Sequence, residues 1–161
     1  MKRSKPRKTL DLIDRKILAL LQDNAKISNV DLAEQVHLSP TPCLERVKRL
    51  ESDGYIRKYA AHLNPQVLDA GMLVYLEVSL QNTTSEILEE FNSAVQGIPQ
   101  ILECHMVAGG FDYLLKIRVR DIHEFRDMLG EMLSHLPYVR ETHTYVVMEE
   151  VKESSQIPLR P

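Results

Sequence analysis

Between Ser39 and Glu51 the chain reads Ser39-Pro40-Thr41-Pro42-Cys43-Leu44-Glu45-Arg46-Val47-Lys48-Arg49-Leu50-Glu51, and this segment restricts the fold more than any other. Prolines this close together fit a helix only in its first turn. There the backbone N–H groups have no internal partner, so their loss removes no hydrogen bond. Leu44, Val47 and Leu50 recur at helical spacing and predict one buried stripe, with Arg46, Lys48 and Arg49 outside it. Ser39 and Thr41 both qualify as N-cap, and Thr41, biased away from helical angles by the proline after it, favours the later start. A helix N-terminus beside three cations suits phosphates and base edges. The segment predicts a DNA recognition helix with Ser39, Pro40, Thr41, Cys43, Arg46, Lys48 and Arg49 as candidate contacts. Arg46 and Lys48 lead, because arginine reaches guanine edges and lysine meets phosphate. Cys43 also reads as a small packing residue, or as a thiol activated by the helix N-terminus.

The preceding residues separate this reading from that of a merely solvated helix face. Ile13, Ile17, Leu20 and Leu21 form the stripe of a first helix opened at or near Asp11. Ser28 caps a short second helix, with Asp31 at the third position and Val30, Ala33 and Val36 facing inward. His37-Leu38 leads straight into Ser39, which is helix-turn-helix spacing. Gly54 falls at the residue after the third helix, and Tyr55-Ile56-Arg57-Lys58-Tyr59 predicts a strand, half of a small wing, ending at Asn64-Pro65.

Charge divides with the motif. The net charge is −3, yet residues 1–60 hold 13 Lys/Arg against 8 Asp/Glu, while the remainder holds 7 against 15. A basic head on an acidic body is the footprint of a nucleic-acid binder. Lys2, Arg3, Lys5, Arg7 and Lys8 form a basic arm that either touches phosphates or only solubilises the chain; no apolar run follows to make it a signal peptide. No stretch approaches the ~18 apolar residues of a membrane span. Cys43 and Cys104 lack CxxC spacing, and the histidines show no metal-ligand spacing, so a reduced, cytoplasmic chain without metal or cofactor is expected.

The acidic half alternates strand, helix, strand, strand, helix, strand. Gly71 to Leu80 reads as a strand. Thr83 and Glu86 form a capping box before Ile87, Phe91, Ala94, Val95 and Ile98. Ile101 to Val107 is a second strand, and Tyr113, Leu115, Ile117 and Val119 alternate with Lys116, Arg118 and Arg120 in a third. Asp121 and Glu124 open a helix carrying Ile122, Phe125, Met128, Leu129, Met132, Leu133 and Leu136 inward, and Thr142 to Val151 closes the series. This βαββαβ order predicts a ferredoxin-like domain, with two helices on one face of an antiparallel sheet. Leu73 and Tyr75 beside Val74 and Leu76, and Tyr145 and Val147 beside Val146 and Met148, make the uncovered face apolar too. A second copy is expected to cover it as a homodimer. The chain is α+β, with a basic arm over 1–9, a winged helix-turn-helix over 10–63, a linker over 64–70, the ferredoxin-like domain over 71–152 and a tail over 153–161.

Between the second and third of these strands, the glycines of Gly109-Gly110-Phe111-Asp112-Tyr113 expose backbone N–H groups to a ligand carboxylate, and Asp112 accepts from an ammonium. The plainer reading is a tight hairpin turn. Thr142 and Thr144 add hydroxyls on the last strand or are ordinary strand threonines.

The Ser39–Val47 run, the Gly109–Tyr113 loop and the end Tyr145-Val146-Val147-Met148-Glu149-Glu150 resemble the Lrp/AsnC regulators, over roughly residues 10–153. The resemblance implies a winged helix-turn-helix head and a ferredoxin-like regulatory domain. It also implies dimers assembling into octamers on double-stranded DNA in the cytoplasm, associated with the nucleoid. An amino-acid effector, leucine first and methionine or another small apolar one next, is implied where neighbouring dimers meet, placing Gly109, Gly110, Asp112, Tyr113, Thr142 and Thr144 in its site. Two positions depart from the family pattern. His37 stands where many members have glycine, and Gly110 where a member has an acidic residue. An architectural DNA-wrapping protein is the competing function. Some proteins resembling the family are tetrapyrrole decarboxylases, but this chain shows no nucleophile–base constellation, so no catalytic residue and no enzyme are expected.

Overall fold

Asp11 begins the first helix by a reciprocal capping box: its side chain accepts from the Asp14 N–H at 2.8 Å, and Asp14 Oδ2 accepts from the Asp11 N–H at 3.2 Å. The computed structural model describes residues 9–159, so the basic arm up to Lys8 lies outside the described residues. The chain forms two units. One runs to His62 and takes back the segment from Glu153; the other is Leu63–Lys152.

In the first unit, α1 (Leu12–Asp23), α2 (Asn29–Gln35) and α3 (Pro40–Ser52) enclose Ile17, Leu18, Leu32, Ala33, Val36, Cys43 and Leu50. Ser28 caps α2 through the Asp31 N–H at 3.1 Å. Helix α3 starts early, with Ser39 as N-cap and Pro40 as its first residue, so the later start at Thr41 is corrected. Pro42 is still within the first turn, where no carbonyl four residues back opposes its ring. The buried stripe also shifts. Leu44 is 41 % exposed and Val30 61 % exposed, and Cys43 and Leu32 fill the places expected of them. The stripe of α3 is Cys43, Val47 and Leu50, which leaves Leu44 at its edge.

Both later helix ends close on left-handed residues. The Tyr55 N–H bonds Leu50 O and the Gly54 N–H bonds Glu51 O, with Gly54 at φ 75°. At the end of α2 the same pattern joins Leu38 N–H to Ala33 O and His37 N–H to Glu34 O, with His37 at φ 57°. His37 therefore carries the strain a glycine would relieve. His37→Gly is expected to stabilise the head by about 0.5–1 kcal/mol, the left-handed cost less glycine's added chain entropy, read as a higher midpoint in urea.

The expected strand at Tyr55–Tyr59 is absent, and no wing strand occurs between α3 and Met72. The N–H groups of Tyr55 and Ile56 are spent on Leu50 O, and no second strand lies among the unit's described residues to complete a ladder. Tyr59 instead donates to Glu51 at 2.9 Å, and burial and that carboxylate push its hydroxyl pKa up to about 12. The tail continues the first unit: Gln22 bonds the Ile157 N–H at 2.7 Å and its carbonyl at 3.1 Å.

The second unit is the expected βαββαβ: β1 (Met72–Leu80), α4 (Ser85–Val95), β2 (Ile101–Met106), β3 (Tyr113–Val119), α5 (Ile122–His135) and β4 (Val139–Val146). All pairs are antiparallel in the order β2-β3-β1-β4. Val74, Leu76, Val78 and Leu80 of β1 and the four alternating residues of β3 pack with Phe91, Val95, Phe125, Met132 and Leu136. Several local expectations are corrected. Thr84 rather than Thr83 is the N-cap of α4, without a side-chain cap bond; Ile122 is exposed; β4 starts and ends earlier than Thr142–Val151. The other face is mixed rather than apolar. Tyr75 pairs with Tyr145, but Lys116 bonds Glu103 at 3.0 Å and Arg118 bonds Glu150 at 2.7 Å.

Candidate DNA-binding helix and ligand cleft

Helix α3 is braced against α1 by a carboxylate–guanidinium cluster. Asp14 is 1 % exposed; its Oδ1 accepts from Arg46 Nη1 at 2.8 Å and its Oδ2 pairs with Arg49 Nη2 at 2.5 Å. Arg46 Nη1 also reaches Asp11 Oδ2 at 2.6 Å. The bond from Arg46 holds the Asp11 carboxyl below its usual range, and Asp11, then Asp14, raise Arg46 in return. The two guanidinium groups expected to face outward are thus turned back into the head.

Ser39, Pro40, Thr41 and Lys48 remain exposed. The helix N-terminus offers few donors. Pro40 and Pro42 have none, and the Cys43 N–H is bonded to Ser39 O at 3.3 Å, leaving Thr41 to supply the first turn's N–H. Asn29 fixes this entry by donating to Pro40 O at 2.9 Å. Cys43 is fully buried, so its side chain is a core residue and not a surface contact; burial pushes its thiol pKa up, which opposes thiolate chemistry.

The β2–β3 connection is a six-residue loop, not a tight turn. Neither Gly109 nor Gly110 has a left-handed backbone, and a Cβ on either would meet nothing within 4 Å. Asp112 ties the loop to β1: its N–H bonds Val78 O at 3.0 Å, and its Oδ2 accepts from the Leu80 N–H at 2.7 Å. Beside it lies an open cleft of about 220 Å³ lined by residues 79–83, Gly109, Gly110, Phe111, Asp112 and Arg140. That is smaller than a drug-sized pocket and matches a ligand of amino-acid dimensions.

Three expected residues lie outside the cleft. Tyr113 is buried beneath α4, its ring centroid 4.4 Å from that of Phe91. One step of strand alternation separates it from Asp112 and turns it to the opposite side. Thr142 and Thr144 pair with Val78 and Leu76, whose side chains belong to the helix-covered core, and neither lines the cleft. Sequence reasoning missed Asp14, Phe111 and Arg140. Among the described residues no group of His, Cys, Asp and Glu is arranged to hold a metal, and no helix is long and apolar enough to cross a membrane.

A helix-turn-helix head joined to a domain with a small-ligand cleft is the build of a DNA-binding transcription regulator. Residues 10–57 match the winged helix-turn-helix DNA-binding family, and residues 73–157 match the Lrp/AsnC ligand binding domain. The chain belongs to the Lrp/AsnC family, whose members are transcription regulators rather than enzymes. It is 54 % identical to the leucine-responsive regulatory protein of Klebsiella pneumoniae, covering 98 % of this chain and 96 % of that one, and 53 % identical to that of Escherichia coli K12 over the same shares. The Neisseria meningitidis regulator NMB0573, solved with L-Met, superposes with a TM-score of 0.88 at 36 % identity, covering 93 % of this chain and 97 % of that one.

Proposed function

We infer that this regulator grips double-stranded DNA through the exposed front of α3, with Ser39, Pro40, Thr41 and Lys48 against the duplex. The observation that carries this reading is the bracing of α3 by Asp14, which holds the helix rigid while Lys48 stays outside. Arg46 and Arg49 act on DNA indirectly, as positioning residues for the helix. A small amino acid is the effector, with Gly109, Gly110 and Asp112 at its site. Leucine comes first because relatives 53–54 % identical to this chain are called leucine-responsive, and methionine second because of the Neisseria complex. It acts by linkage: an effector that prefers one assembly or head orientation shifts the DNA-competent population by its differential affinity. The sheet face bearing Tyr75 and Tyr145 pairs two copies, and dimers assemble into octamers in the cytoplasm, on the nucleoid.

An architectural, DNA-wrapping role is favoured by one observation. Arg46 and Arg49 are held by carboxylates, which weights contact toward phosphate and DNA shape over base edges. Fluorescence anisotropy with the region upstream of the protein's own gene, scrambled competitor and fixed salt separates the two roles. Competitor-resistant binding that moves with leucine or methionine is expected. Binding equally strong to scrambled DNA selects the architectural role, and specific binding blind to every amino acid removes the effector.

A further inference from the structure

We propose that Arg140 is the carboxylate-binding residue of the cleft, and that the Arg140–Asp112 pair restricts its ligands to amino acids with a free carboxylate and an uncharged side chain. This deepens the effector reading above and rests on it. The backbone delivers Arg140 to the cleft by an irregularity. Ser79 pairs with Glu141 and Leu80 with Val139, so Arg140 is the extra residue of a β-bulge with no partner on β1. Bulges re-aim a side chain out of the regular alternation, and they recur beside functional sites for that reason. The residue before the strand adds to the cost of this geometry: Tyr138 sits at φ 61°, left-handed for a bulky side chain. It is held there by the Gln81 N–H on its carbonyl at 2.9 Å and by its own hydroxyl on Glu90 at 2.9 Å. Two unfavourable backbone features next to one another bring Arg140 among the cleft's lining residues.

The lining charges then define the ligand. Arg140 is the cation of the lining and Asp112 the anion, so the cleft is balanced toward a zwitterion. Asp112 is oriented by the Leu80 N–H on Oδ2, and its Oδ1 is the oxygen assigned to a ligand ammonium. A planar guanidinium takes a carboxylate through two parallel bonds, a stronger and more directional hold than glycine N–H groups supply. Half-buried Phe111 offers apolar surface to the ligand side chain. A lysine side chain would bring a second positive charge with no second carboxylate in the lining. A glutamate side chain would bring a second negative charge with no second cation.

Isothermal titration calorimetry on the full-length protein tests this with leucine, methionine and alanine, each beside its amide, which keeps the ammonium and side chain but lacks the carboxylate. The unaltered protein is expected to prefer a free amino acid over its amide by at least about tenfold, the scale of a charge-assisted bidentate contact. In Arg140→Gln that preference is expected to fall to within about twofold, while Arg140→Lys, a point charge without the fork, keeps an intermediate ratio. Arg140 is exposed, so both variants are expected to keep the unaltered melting temperature. A preference for free amino acids that survives undiminished in Arg140→Gln overturns the proposal and leaves the effector reading standing. Failure of every free amino acid to bind the unaltered protein overturns both.

Discussion

Asp14→Ala is expected to unfold the head while leaving the ligand domain intact. Asp14 is the one buried carboxylate of the first unit's described core, and it takes three partners: Arg46, Arg49 and the Asp11 N–H of the capping box. Removing one member of a buried ion cluster costs about 3–5 kcal/mol, because the remaining charges lose compensation. Here Arg46 and Arg49 are each about a quarter exposed and can turn to water, which argues for the lower end, about 3 kcal/mol. A helical head this small has only a few kcal/mol in total, so the loss is decisive. Native-state hydrogen exchange reads the two units separately: amides of Ile17 and Leu32 are expected to lose protection, and those of Leu76 and Leu115 to keep it. Asp14→Asn, which retains an acceptor without the charge, is expected to fall between. Unchanged protection at Ile17 in Asp14→Ala would refute the brace. Acid has a smaller effect through Asp11. Its carboxyl is lowered from 3.8 in the fold, so its contribution is complete above that value and fades only as the pH falls through the lower folded one.

What the sequence disclosed and what it hid follow from the range of the interactions. The capping box at Asp11, the Ser28 cap, the Gly54 terminus and the alternation of β3 are set by residues within a few positions of one another, and these read directly. The Arg46–Asp14 contact spans 32 positions, and nothing local marks it. One sign was present. Arg46 lies three residues after Cys43 and four before Leu50, so its stem shares their buried face. Taking Leu44 as the start of the stripe moved Arg46 outward on paper by one helical step. The missing strand at Tyr55–Tyr59 is a similar case. Its β-branched and aromatic residues suit a pleated surface, but a strand exists only where another offers a ladder. At the cleft, Asp112 was legible because an anionic acceptor close to two glycines suits the ammonium and carboxylate of a free amino acid. Arg140 was not, since a bulge is a mismatch between two strands and neither strand records it alone.

The same geometry reverses the order of importance of the two residues first singled out on α3. Lys48 is exposed and meets phosphate in the proposed complex. Lys48→Ala is expected to weaken binding to all sequences alike and to lower the salt slope of log K by about 1 per engaged head, as loss of one phosphate contact does. Arg46→Ala removes one arm of the brace but leaves Arg49 on Asp14, so it is expected to cost about 1–2 kcal/mol of head stability. Measured at low temperature, where circular dichroism shows the variant folded, its DNA affinity is expected to change by less than about threefold, with the salt slope intact. A base-reading arginine behaves otherwise: its loss costs about 1–3 kcal/mol of binding and relaxes preference at a single base pair. That result for Arg46→Ala would mean the guanidinium leaves two carboxylates to reach guanine. Arg49 alone would then have to compensate a buried Asp14, a cost subtracted from the free energy of binding DNA. The selected base pair, the salt slope and the melting temperature together decide between a brace and a reader.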